Sequence, residues 1–109
     1  MKVILNPIDF VELEALAENI GGFYVKVVVD LKKEILAAGA KMHVDEEELL
    51  LRNGSNKNDL WGGGYDLDNK EIKFDSIINN RPIVNNSSEI LDFTTRDKFT
   101  SIVKHLLNI

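Results

Sequence analysis

Apolar positions along the chain change their spacing several times, and each change predicts an element boundary. Residues 2–5 read as a short strand, stopped at Asn6-Pro7 because proline has no N–H for a ladder. Asp9 then offers a helix N-cap, Glu12 stands three residues on to complete a capping box, and Ile8 is placed to staple Leu13. Leu13, Leu16, Ala17 and Ile20 make one apolar face, with Glu12, Glu14 and Glu18 turned to water. Gly21-Gly22 ends this helix with residues that tolerate positive φ.

Residues 23–38 form the most apolar stretch. Val27-Val28-Val29 favours a strand by propensity. The polar positions outweigh it: Lys26, Asp30, Lys33 and Glu34 recur every three or four residues, opposite a stripe of Tyr24, Val28, Leu31, Ile35 and Ala38. The spacing predicts a central helix ending at Gly39. Beyond it, Met42 and Val44 alternate with Lys41, His43 and Asp45, the pattern of a half-buried strand. Asp45 to Glu48 suit a helix start, followed by a short turn at Leu49-Leu50-Leu51 closed by Asn53-Gly54.

Residues 60–67 and 70–79 flank Asp68-Asn69 and read as a hairpin, with Ile72, Phe74, Ser76 and Ile78 sharing one face. Residues 80–91 are polar and read as a long loop. A terminal helix starts near Thr94 and turns Phe99, Ile102, Val103 and Leu106 to the core. The expected order is β-α-α-β-β-β-α in one domain over residues 1–109. Strands and helices are partly segregated, so the expected fold is a small two-layer α+β domain. Three main helices would pack a mixed or antiparallel sheet of about four strands.

Composition narrows the function classes. With 109 residues and 44% hydrophobic positions the chain can bury a core without staples. It has no cysteine, which excludes a disulfide scaffold, a thiol nucleophile and thiolate metal sites. A net charge of −5 argues against nucleic acid or an anionic membrane as partner. There is no signal-like apolar run near Met1 and no stretch of ~18 apolar residues, so the cytoplasm is the expected location.

Few residues carry distinctive chemistry. His43 and Asp45, two apart on a predicted strand, would project from one face, where the carboxylate could orient the imidazole as a general base. His105 is remote in sequence, so no metal site is expected and no cofactor is called for. Arg81 is the only cation between Lys73 and Arg96. It stands among Asn79, Asn85, Asn86, Ser87 and Ser88, a set suited either to an anion or to bracing the loop through backbone carbonyls. Trp61 leads into Gly62-Gly63-Gly64, which lacks the pattern of a phosphate-binding loop, so Gly62 reads as a point of close backbone approach or a bulge, and Trp61 as a core or interface residue.

Four segments carry a family resemblance: Met42-His43-Val44-Asp45-Glu46-Glu47, Gly54-Ser55, Asp59-Leu60-Trp61-Gly62, and the run from Phe74 to Arg81-Pro82. They resemble a prokaryotic family of small proteins known only as a domain of unknown function, and the likeness runs from Asn6-Pro7-Ile8 to the terminal helix. The family pattern continues after Arg-Pro as Gly-Asn-x-Ser. Asn86 and Ser88 match it, whereas Asn85 replaces the glycine, and Gly63 and Gly64 stand where larger residues are usual. The resemblance implies a compact α+β domain and no known activity.

The leading expectation is a binding or interaction module for a small anionic ligand or a protein partner. Its site would comprise Arg81, Asn79, Asn86, Ser88 and Trp61 beside His43 and Asp45. One alternative is a small hydrolytic or transfer enzyme with His43 as base, Asp45 as its orienter and Arg81 on an anionic group. Another is a homo-oligomer subunit pairing through the Trp61 strand as a sheet edge.

Overall fold

A computed structural model describes residues 1–109. Its strands are β1 (Lys2–Ile4), β2 (Tyr24–Asp30), β3 (Ile35–Ala38), β4 (Leu60–Asp66) and β5 (Glu71–Lys73). Its helices are α1 (Phe10–Ala17), α2 (His43–Arg52) and α3 (Phe93–Leu107). The strands form one five-stranded sheet in the order β1-β3-β2-β4-β5, and every neighbouring pair is antiparallel. This is an α+β fold with one strand more than expected.

The extra strand comes from the segment read as a central helix. Residues 24–38 are instead the hairpin β2–β3, with Val27 opposite Ala38 and Val29 opposite Leu36. The polar spacing that suggested a helix has other causes. Asp30 is fully buried and accepts from the Lys32 and Lys33 N–H groups, which fixes the turn. Lys33 and Glu34 lie in that turn, with Glu34 at φ +57°. Helices cover both faces of the sheet, so these strands lack the one-sided alternation that marks a half-exposed strand.

Packing on two faces also makes three layers where two were expected. Val25, Val27 and Val29 face α1 and α3 in a core of eighteen buried residues that includes Leu13, Leu16, Phe99 and Val103. On the other face Val28, Ala37 and Leu60 meet Leu50 of α2, a cluster of only four buried residues. α2 itself begins at His43, so the strand expected over residues 41–45 is absent; Met42 is its extended N-cap residue.

Both ends expected for the first helix are present, whereas the central helix ending at Gly39 is absent and α2 starts at His43 ahead of the expected Asp45 start. The Glu12 N–H donates to Asp9 Oδ1 at 2.8 Å, though the Glu12 carboxylate pairs with Lys2 rather than closing the box. Gly21 and Gly22 end the first helical segment at φ +91° and +84°. Asp92 caps α3 by accepting from the Thr95 N–H and hydroxyl, both at 2.9 Å. In the β4–β5 hairpin Asp66 accepts from the Asp68 and Asn69 N–H groups, and Lys70 takes the positive φ. β5 stops at Lys73, so the face expected over residues 72–78 is broken. Ile72 and Phe74 pack on the larger core, whereas Ile78 packs on the α2 side.

Candidate functional site

Asn79 and Asn85 organise the chain from Phe74 to Leu91. β5 pairs only with Gly64, Tyr65 and Asp66, which leaves the outer edge of β4 open at Gly62. The buried Asn79 amide fills that position: Oδ1 accepts from the Gly62 N–H at 2.8 Å, and Nδ2 donates to the Gly62 carbonyl at 2.9 Å. The same Nδ2 reaches the carbonyls of Ser88 and Phe74 at 3.0 and 3.2 Å. Asn85 Nδ2 donates to the carbonyls of Asn79, Ser87 and Glu89, and its Oδ1 accepts from the Leu91 N–H. Residues 80–91 are therefore an ordered loop held from within.

Arg81 joins the same framework. Its Nη2 donates to the Leu60 carbonyl, its Nη1 lies 3.4 Å from the Asn58 carbonyl, and its guanidinium stacks 4.4 Å over the Trp61 ring. Burial pulls its pKa below the ordinary arginine value, against a weaker opposing pull from Glu47. An anion at Arg81 would have to compete with those carbonyls. Asn86 Oδ1 accepts from the Ile83 N–H, while Ser88 contributes its carbonyl to the Ser76 N–H and to Asn79. Trp61 is buried, and the edge of β4 that β5 leaves open on either side of it is taken by Asn79 at Gly62 and Arg81 at Leu60, so the Trp61 strand offers no free sheet edge of the kind the oligomer expectation required.

His43 lies elsewhere, in the first turn of α2. Two residues on a helix are turned about 200° from each other, so Asp45 does not share its face, as it would on a strand. Asp45 and Arg81 do not line the recess that His43 borders, so the expected trio of His43, Asp45 and Arg81 does not form one cleft. The His43 Nε2 sits 2.6 Å from the Gly63 carbonyl. A carbonyl only accepts, so Nε2 carries the proton and Nδ1 is left as an acceptor. Burial lowers the His43 pKa, which keeps the ring neutral near pH 7.

The recess is a groove of about 600 Å³. Tyr24, Lys26 and Ser76 contribute polar groups beside His43, and Asp75 contributes a carboxylate. Met42, Val44 and Ile77 are exposed apolar side chains lining the same groove. Burial, reinforced by Asp75, pushes the Tyr24 phenol up to about 12, so it remains a hydrogen-bond donor. Lys26 Nζ donates to the Lys41 carbonyl at 2.8 Å, and Asp75 takes part in none of the three ion pairs of the molecule. Lys26 and Asp75 thus line one groove without pairing with each other, while Lys73 and Glu89, which also line it, are paired with Glu71 and Arg96.

The three-glycine run gives the groove part of its shape. A Cβ on Gly64 would stand 2.2 Å from the Tyr24 hydroxyl, and one on Gly62 would stand 2.6 Å from the Ser76 side chain. At Gly62 the glycine admits the Ser76 and Ile78 side chains rather than the backbone approach expected there; the closest backbone, the Lys73 carbonyl, is at Gly63. A family model described as "Protein of unknown function (DUF5674)" matches residues 2–106, nearly the whole chain.

The chain belongs to the DUF5674 family.

No curated protein and no solved structure matches this DUF5674 chain. The family description brings no activity, so function has to be argued from the groove. Sequence reasoning missed Tyr24, Lys26 and Asp75 as groove residues of this DUF5674 protein. Tyr24 and Lys26 share a face only once their segment is a strand, and the helical reading separated them. No group of three or more His, Asp or Glu side chains is placed to hold a metal ion, and no helix is long and apolar enough to cross a membrane.

Proposed function

We propose that this DUF5674 protein is a binding module whose site is the groove at the start of α2. The ligand is a small zwitterion with an apolar side chain, such as a hydrophobic amino acid. One observation carries this reading: Lys26 and Asp75 line the same groove and form no ion pair with each other. A ligand carboxylate would meet Lys26, the Tyr24 hydroxyl and the α2 N-terminus, which no side chain caps. A ligand ammonium would meet Asp75 and the acceptor Nδ1 of His43. The apolar body would cover Met42, Val44 and Ile77, and sites of this kind combine apolar walls with a few convergent polar groups.

In this reading the anionic end of the ligand falls to Lys26, which lines the groove and keeps donors free beyond its bond to the Lys41 carbonyl, whereas both Arg81 Nη atoms face carbonyls and its Nε is buried. Calorimetric titration with leucine and methionine tests it, since a ligand of the folded state releases or absorbs heat and raises apparent stability. We expect millimolar or tighter binding, weakened about tenfold in Asp75→Asn and in Lys26→Gln, for loss of about 1–2 kcal/mol per charge-assisted bond. Binding of leucine that neither substitution alters, or no binding at all, would sink the proposal.

A further inference from the structure

A second recess of about 740 Å³ lies on the other side of β5, between the start of α1, the β4–β5 hairpin and the last half of α3. Its walls are apolar, with Phe10 and Leu13 from α1 facing Leu67, Ile72 and Phe74 from the hairpin side. Phe10 is 64% exposed in the first turn of α1, and its neighbour Val11 is exposed too, while Leu13, Leu16 and Ala17 are buried. Lys70, Lys104 and the Thr100 hydroxyl contribute donors, Tyr65 and the last residue, Ile109, also border it, and no Asp or Glu side chain does. Neither lysine belongs to an ion pair. In a chain of net charge −5, an apolar slot whose only charged side chains are two unpaired lysines is a local exception.

We infer that this slot binds a free medium-chain carboxylate, with its alkyl chain against Phe10, Leu67, Ile72 and Phe74 and its carboxylate held by Lys70 and Lys104. The volume suits a small molecule, since ligand pockets commonly span about 300–1,000 Å³. The charge pattern selects the head group: an ammonium would be repelled, and an alcohol would leave both lysines unused. This site does not depend on the groove reading, although Ile72 and Phe74 border both recesses.

Titration of the full chain with octanoate, decanoate and decanol, all kept below their micelle concentrations, tests the inference. Each buried methylene is worth about fourfold in affinity, so decanoate should bind roughly 15-fold tighter than octanoate. Decanol should bind about tenfold more weakly than decanoate. Lys70→Gln and Lys104→Gln, both exposed and harmless to folding, should each weaken decanoate about threefold and leave decanol unchanged. Equal affinity for decanol and decanoate, or lysine variants that bind decanoate like the parent, would overturn the carboxylate assignment. So would capture by anionic vesicles without binding of free decanoate, or a stable dimer that Leu67→Glu dissociates, because another occupant would then own the slot.

Discussion

Asn79 donates to three carbonyls and accepts from the Gly62 N–H, so one amide stands in for a missing strand residue beside β4. Replacing it with alanine strands several buried backbone groups at once. Each unsatisfied group costs about 1–3 kcal/mol, so Asn79→Ala should lower stability by roughly 3–4 kcal/mol in urea denaturation. Asn79→Asp should do no better, because a carboxylate has no N–H for the three carbonyls. A loss under about 1 kcal/mol would show that the loop stands without it. This role was partly legible. The sequence concentrates Asn, Ser and one Arg over residues 79–88, and two functions suit that set: binding an anion or satisfying carbonyls. Which one holds depends on where β5 ends. β5 ends early, at Lys73, and the open edge of β4 then draws Asn79 and Arg81 inward. The partners of His43 were not legible. Gly63 meets it from twenty residues away, across a sheet whose order no local pattern encodes.

At the scale of elements, local signals held wherever one residue type has one structural use. Asp9 and Gly21-Gly22 bound the first helical segment as read, because a capping carboxylate and a positive φ are short-range needs. The hairpin β2–β3 was lost because both of its faces are covered. Its apolar residues are continuous, and its polar residues serve a turn and a groove rather than a solvent face. β4 was legible as a strand, and its glycines now acquire a specific use. A Cβ on Gly63 would lie 2.2 Å from the Lys73 carbonyl and 2.7 Å from the Phe99 ring. The carbonyl is backbone, so relief requires β4 and β5 to separate. Gly63→Ala should therefore cost about 2–3 kcal/mol by overpacking and lower the melting temperature accordingly. Gly22→Ala, where nothing lies within 4 Å, should cost only about 1 kcal/mol for its positive φ. Equal losses at the two sites would mean that the sheet yields more easily than this packing implies.

Across the whole molecule the two faces of the sheet are unequally built, eighteen buried apolar residues on the α1–α3 side against four beneath α2. The thin side also holds an acid. Glu46 is fully buried, its Oε2 accepts from the Ala40 N–H at 3.0 Å, and its Oε1 has no partner. Burial raises its pKa from 4.5 to about 9, against smaller opposing contributions led by the Ala40 N–H and Lys26. The folded chain therefore holds a proton that the unfolded chain releases between those values. Stability from this group is complete below about 4.5, declines as pH rises through the window, and is gone above about 9. The slope within the window approaches about 1.4 kcal/mol per pH unit. Glu46→Gln removes the titrating group, so its stability should stay flatter from pH 5 to 9 and exceed that of the parent by a margin that grows as pH rises through that range. Urea denaturation of both chains across that range measures the difference. Parallel pH profiles would mean that Glu46 is ionised in the folded chain, with water or a cation reaching Oε1. Since α2 also carries His43, loosening of this face at high pH should reach the groove before the larger core, visible as earlier hydrogen exchange in α2 than in α3.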